Sequence, residues 1–257
     1  MTPDLLYDLQ DGIARITFNR PEARNALTFA MYDRLAEICH NAAQDPHIRA
    51  LILTGAGDKA FAAGTDISQF RAFTSPDDAI AYEARLDHVL EAVERCPKPT
   101  IAAIAGACTG GGAAIAAACD LRIAAPSMRF GFPIARTLGN CLSMSNLARL
   151  AALIGPGRVT EIIFTARLIE AEEARSIGLV TEVLEDAAAL ATRADELAHL
   201  IAGHAPLTLR ATKEALRRLR TGESAEQDLI LMCYMSRDFR EGMDAFLTRR
   251  TPVWTAT

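Results

Sequence analysis

Three consecutive glycines, Gly110, Gly111 and Gly112, separate a short apolar run from an alanine-rich one. The run from Thr100 to Ala105, introduced by Pro97 and Pro99, has the unbroken apolar character of a buried strand. The alanines up to Ala118 combine high helix propensity with almost no side-chain bulk. The predicted order is strand, glycine turn, helix. Such a turn presents bare backbone N–H groups at the positive end of a helix dipole, with no Cβ to hold a ligand's oxygen away, and can stabilise a developing oxyanion. The same glycines also suit simple close packing of the helix on its neighbours. An earlier stretch repeats the order: Ala50 to Thr54 reads as a strand, GAGDKAFAAGTD as a glycine and alanine loop, and Asp66 with Gln69 as a capping box for the next helix.

Other reactive residue types give less. The six cysteines, Cys39, Cys96, Cys108, Cys119, Cys141 and Cys233, have no CxxC spacing and read as reduced, buried small residues. Neither they nor His40, His47, His88, His199 and His204 have metal-ligand spacing, so no metal is expected. With 257 residues, half of them apolar, the chain can bury one large core or a core with a small appendage. A net charge of −5 lacks the basic surplus that phosphate neutralisation requires, which argues against nucleic acid. No run has the length of a membrane span, and MTPDLLYDLQDG carries acids where a secretory signal has bases, so a cytoplasmic location is expected.

The elements that must position the glycine turns can be read in order. LLYDLQ and IARITF flank Asp11-Gly12 and predict a β-hairpin. Leu27, Met31, Leu35, Ile38, Cys39 and Ala42 recur at helical spacing, and a second helix spans about Pro76 to Arg95. LRIAAP and MRFGFP read as short strands. The pattern is then helical from Leu142, interrupted by a strand LVTEV after Gly178, a C′ glycine. Tail helices are expected over roughly 186–203, 206–221, 224–235 and 237–249, with apolar stripes that must pack on the core or on other subunits. A soft boundary near Glu185 divides residues 1–185 from 186–257.

Taken together and in order, NRPEARNAL, FAAGTD, KPTIAAIAGACTGGG, ACDLRIAA, FGFP, EARSIGLVTEV and REGMDAFLTRR resemble the enoyl-CoA hydratase/isomerase (crotonase) superfamily over nearly the whole chain. The resemblance implies an α/β fold with a crotonase-like ββα spiral core over 1–185 for acyl-CoA binding and a helical C-terminal trimerisation region over 186–257. It implies an acyl-CoA thioester as ligand, with coenzyme A entering as part of the substrate and no tightly bound cofactor. It also implies a homotrimer or dimer of trimers. The two backbone N–H groups that hold the thioester oxygen fall on Thr65 and Gly111. CoA contacts fall on Arg24, Ala26 and Ala63, and those reaching the CoA of an adjacent subunit on Phe246 and Arg249. Arg24 and Arg249 read equally as a solvated loop arginine and a helix-end cation.

The departures from the family pattern matter as much. The positions where hydratases carry glutamates to activate water and deliver a proton are Ala114 and Ile134, and neither side chain exchanges a proton. Substitutes are few. Asp66 is a helix cap or an acid/base group, and Arg136 meets the acyl group or lies at the surface. Cys141 is a nucleophile or a packing residue, and His88, on a helix expected between the two oxyanion segments, is catalytic or simply helical. Two readings result: an enzyme that stabilises a thioester enolate and carries out isomerisation, decarboxylation or another acyl-CoA reaction, or a catalytically degenerate CoA-binding scaffold.

Overall fold

A computed structural model describes residues 3–257. The Asp11-Gly12 pair adopts positive φ at both residues, +48° and +80°. This is the turn that matches the twist of a two-residue hairpin, and it joins β1 (Leu5–Gln10) to β2 (Ile13–Phe18). Helix α1 (Phe29–Gln44) begins at Thr28, whose hydroxyl accepts from the Met31 N–H. There follow β3 (Ala50–Gly55), β4 (Ala60–Ala62), α2 (Pro76–Arg95), β5 (Thr100–Ile104), β6 (Ala107–Thr109) and α3 (Gly111–Ala118). Next come β7 (Leu121–Ala124), β8 (Arg129–Gly131), α4 (Ile134–Thr137), α5 (Met144–Ile154) and α6 (Pro156–Thr165). The chain continues with β9 (Ile169–Glu170), α7 (Ala171–Ser176), β10 (Glu182–Val183), α8 (Ala187–Ala202), α9 (Pro206–Thr221), α10 (Gln227–Tyr234) and α11 (Arg237–Thr248).

Two sheets share these strands. The larger runs β1-β2-β3-β5-β7-β10 and is parallel after the hairpin; the smaller runs β4-β6-β8-β9. Each of β3–β4, β5–β6 and β7–β8 passes from the first sheet to the second and is followed by a helix, which is the expected ββα spiral. The corner between β5 and β6 needs a glycine. Gly106 has φ +65°, and a Cβ there would lie 2.1 Å from the Lys59 carbonyl oxygen.

Side-chain alternation sorts the large sheet's residues onto two faces. Leu51, Leu53, Ala102 and Ile104 pack into the main core with α1, α2 and α3, whereas Ala50, Ile52, Ile101 and Ala103 pack under α8 through Leu190, Ala194 and Ala198. A boundary at residue 185 leaves α8 with the tail, yet its buried face closes the second side of the core sheet. Helix α9 is tied to the core by Lys213, whose Nζ lies 2.7 Å from Asp120 Oδ2. Beyond it, Tyr234 at the end of α10, Met235 just after it, and Phe246 and Leu247 on α11 are exposed.

Two local expectations change. The Asp66–Gln69 capping box does not form: the segment after Asp66 is a 3-10 helix (Ile67–Ala72), and the Gln69 side chain accepts instead from the Phe29 N–H at 2.7 Å, fastening it to the start of α1. The strand LVTEV shortens to Glu182–Val183, because the Leu179 and Val180 N–H groups close the end of α7 on the Ala174 carbonyl. Among the cysteines, Cys39, Cys96, Cys108 and Cys119 are buried, but Cys141 is exposed in the α4–α5 loop and Cys233 is half-buried. No helix among the described residues is long and apolar enough to cross a membrane.

Candidate active site

The two glycine loops meet. Gly64 and Gly110 both have positive φ, +106° and +53°, and a Cβ on Gly110 would sit 3.5 Å from Gly64 Cα. Next to them, a Cβ on Gly111 would lie 3.3 Å from Thr65 Oγ1, and one on Gly112 only 2.3 Å from the Ala62 carbonyl oxygen. Glycine at Gly110 to Gly112 therefore lets α3 press onto β4 and brings the start of α3 to Thr65.

Backbone hydrogen bonds fix this crossing. The loop after the hairpin runs beside FAAGTD through Ala63 N–H to Arg24 O at 3.0 Å, Leu27 N–H to Gly64 O at 2.8 Å and Asp66 N–H to Leu27 O at 2.9 Å. Among the described hydrogen bonds, the Thr65 N–H between them is given to no acceptor. Gly111 is the first residue of α3, so its N–H is one of the helix's unpaired amides. Two amides with no described acceptor thus belong to neighbouring residues where the loops cross, one of them at a helix start, which suits an oxygen gaining negative charge.

Three residues that sequence reasoning missed hold the pair in place. Asn25, fully buried with φ +55°, accepts from the Arg20 N–H and donates to the Ala56 and Ala60 carbonyls, shaping the loop that carries Arg24 and Ala26. Tyr32 of α1 and Tyr82 of α2 each place a hydroxyl 2.8 Å from Thr65 Oγ1. Burial pushes both phenols above their usual range, so they stay protonated and serve as neutral hydrogen-bond partners. Tyr82 also closes an aromatic wall with Phe29, Phe70 and Phe73, at centroid separations of 5.9, 4.8 and 6.1 Å. The one signal available in the sequence was Tyr32's place in the apolar stripe of α1.

The remaining candidates are placed as follows. Ala114 is fully buried in α3, and Ile134 is buried at the start of α4. Asp66 caps the 3-10 helix through the Ser68 N–H and pairs with Arg20 at 2.9 Å; the Ser68 hydroxyl and then Arg20 hold its carboxyl below the usual range. It is a partnered anion with a structural task. Arg136 is exposed on α4, and Cys141 is exposed in the following loop. His88 is exposed on α2. Helix α2 turns it outward, into a groove of about 560 Å³ against α1 that it lines with Asp33, Glu37 and His40. Arg24, Ala26 and Ala63 are brought together by the loop bonds given above, with Arg24 exposed. Phe246, 84% exposed on α11, and Arg249, its left-handed cap, stand apart from this cluster within the chain. Among the described residues, no three His, Cys, Asp or Glu side chains are grouped to hold a metal ion.

Comparisons with known proteins identify the family. The sequence model of the family described as enoyl-CoA hydratase/isomerase matches residues 8–257. A short-chain-enoyl-CoA hydratase from Clostridium acetobutylicum is 34% identical over 252 residues, 96% of this chain and 95% of that protein. Among solved structures, an enoyl-CoA hydratase/carnithine racemase from Magnetospirillum magneticum is 36% identical, with a TM-score of 0.92 over 100% of this chain and 97% of that one. An enoyl-CoA hydratase from Bacillus anthracis is 34% identical, with a TM-score of 0.89 over 99% and 100%. The chain belongs to the enoyl-CoA hydratase/isomerase family and has its fold.

Proposed function

We propose that this protein binds an acyl-CoA thioester with its carbonyl oxygen on the Thr65 and Gly111 N–H groups and promotes a reaction that passes through a thioester enolate. The observation that carries the reading is the meeting of these two unpaired amides at the paired glycine loops. Hydrogen bonds aimed at an oxygen that becomes more negative in the transition state lower the barrier to enolate formation more than they tighten ground-state binding. Coenzyme A is part of the substrate; Arg24, Ala26 and Ala63 line its approach, and Phe246 and Arg249 of an adjacent subunit complete it in a trimer or a dimer of trimers. The aromatic wall of Phe29, Phe70, Phe73 and Tyr82 suits an apolar acyl chain.

Ordinary hydration needs one group to activate water and another to deliver a proton, and Ala114 and Ile134 supply neither. Isomerisation or decarboxylation, which need less, fits better. The same two residues favour a second reading, a CoA-binding scaffold without turnover. Calorimetric titration with a short enoyl-CoA, alongside an assay of its hydration, separates the readings. We expect saturable binding, with hydration slower than that of an ordinary hydratase by a factor of about 10² or more. Hydration at ordinary enzyme rates overturns the assignment at Ala114 and Ile134, and absence of binding overturns thioester recognition.

A further inference from the structure

Helix α2 carries several carboxylates, and all but one of those near the core are partnered. Asp78 closes the capping box with Ser75, Asp87 Oδ1 accepts from the Ser143 hydroxyl at 2.6 Å, Glu91 pairs with Arg95, and Glu94 binds Arg149 and Arg220. Glu83 is half-buried, and among the described residues it has no hydrogen bond or ion pair. The nearest cation along the helix, Arg85, is turned away to Asp33 and to the face of Phe29.

The position of Glu83 is set by its neighbours. Tyr82, the residue before it, reaches the hydroxyl of Thr65, so this end of α2 lies over the proposed oxyanion amides. Asp87, four residues on and hence on the same side of the helix, holds the loop between α4 and α5 through Ser143. Glu83 therefore lies on the stretch of α2 that spans from Thr65 to the loop after Ile134. Burial, then the charge of Asp87, raises its carboxyl above the ordinary glutamate range. Burial raises the Tyr82 and Tyr32 phenols, and the charge of Glu83 adds to both. The adjoining layer contains a second unsatisfied polar group. Asn146 of α5, whose N–H donates to Ser143 Oγ, is 1% exposed, and neither atom of its side-chain amide has a partner.

We infer that Glu83 is the proton-transfer residue of this site, doing from α2 the work that Ala114 on α3 and Ile134 on α4 cannot do. The inference rests on the thioester-binding reading above. The Glu83 carboxylate removes a proton from the acyl α-carbon: the C–H bond breaks, an O–H bond forms on Glu83, and the electron pair passes into an enolate whose oxygen rests on the Thr65 and Gly111 amides. In a 3-enoyl thioester the protonated Glu83, whose O–H exchanges with solvent, delivers a proton to the γ-carbon and the double bond moves into conjugation. No co-reactant is needed, and a single carboxylate suffices.

The test uses 3-hexenoyl-CoA in deuterium oxide, with incorporation at the α- and γ-carbons read by mass spectrometry and affinity measured separately by calorimetry. For Glu83→Gln we expect incorporation to fall by about 10²-fold or more, with affinity little changed, and Glu83→Asp to restore part of the rate. The wild-type rate should rise with pH through a midpoint above the value of about 4.3 usual for glutamate, and the Gln variant should lose that limb. The groups facing Glu83 that bear on this limb are Asp87 and Tyr82 on α2 and Tyr32 on α1. Incorporation by Glu83→Gln at the wild-type rate overturns the inference. A wild-type protein that binds the thioester but exchanges nothing overturns it too, and leaves thioester binding standing. A protein that binds no thioester overturns both.

Discussion

Gly111 has no room for a side chain. An added Cβ would lie 1.9 Å from the Tyr32 hydroxyl, and Tyr32 is fully buried and cannot swing aside. We expect Gly111→Ala to displace the start of α3 from Thr65, lowering kcat/KM on an acyl-CoA substrate by about 10²- to 10³-fold, as for loss of an oxyanion donor. Wild-type kinetics from this variant would show that the amide has no such role. Thr65→Val separates the side chain from the amide. It strands the Tyr32 and Tyr82 hydroxyls and should cost about 1 to 3 kcal/mol in chemical denaturation, while thioester affinity changes less than that of the glycine variant. At this scale Thr65 and Gly111 came from the family resemblance, while the glycine runs themselves signalled only a strand, turn and helix. The sequence hid Tyr32, Tyr82 and Glu83, because their roles depend on which helices lie across the glycine loops.

Helix α2 connects the site to the rest of the core, and Glu94 is its anchor. Burial pushes the Glu94 carboxyl up, but Arg149 and Arg220 outweigh burial and hold it below the usual range. A depressed folded-state pKa means that the unfolded chain binds the proton more readily, so this stabilisation is complete above the ordinary glutamate pKa, about 4.3, and is lost as pH falls through the folded value. Glu94→Gln leaves the buried Arg149 without its counter-charge and should cost about 3 to 5 kcal/mol at pH 7. Urea unfolding of both proteins at falling pH checks this, and the gap should narrow only in acid; a constant gap would mean that the carboxyl is not ionised in the fold. Most elements were readable from local signals such as Asp11-Gly12, the α1 stripe and the Gly178 stop. The capping box at Asp66 was not, since tertiary contact with Phe29 N–H took Gln69.

For the whole molecule, the apolar side chains left outside are concentrated on α10 and α11, with Phe246 84% and Leu247 73% exposed. Exposed apolar side chains on these two helices suit a role as an association face, which we propose. We expect light scattering to give a mass three or six times the 27.7 kDa of the chain, and Phe246→Asp to shift it towards the monomer. A monomeric wild type would remove the adjacent-subunit role given to Phe246 and Arg249. The ββα order of the spiral was visible in the sequence, but the packing of α8 under the core sheet was not, since its apolar stripe fits a subunit as well as a sheet. The most direct test of thioester recognition is a crystal structure with a non-reactive acyl-CoA analogue. The account predicts the thioester oxygen about 2.7 to 3.1 Å from both the Thr65 and Gly111 nitrogens. An analogue bound with that oxygen away from both amides would contradict it.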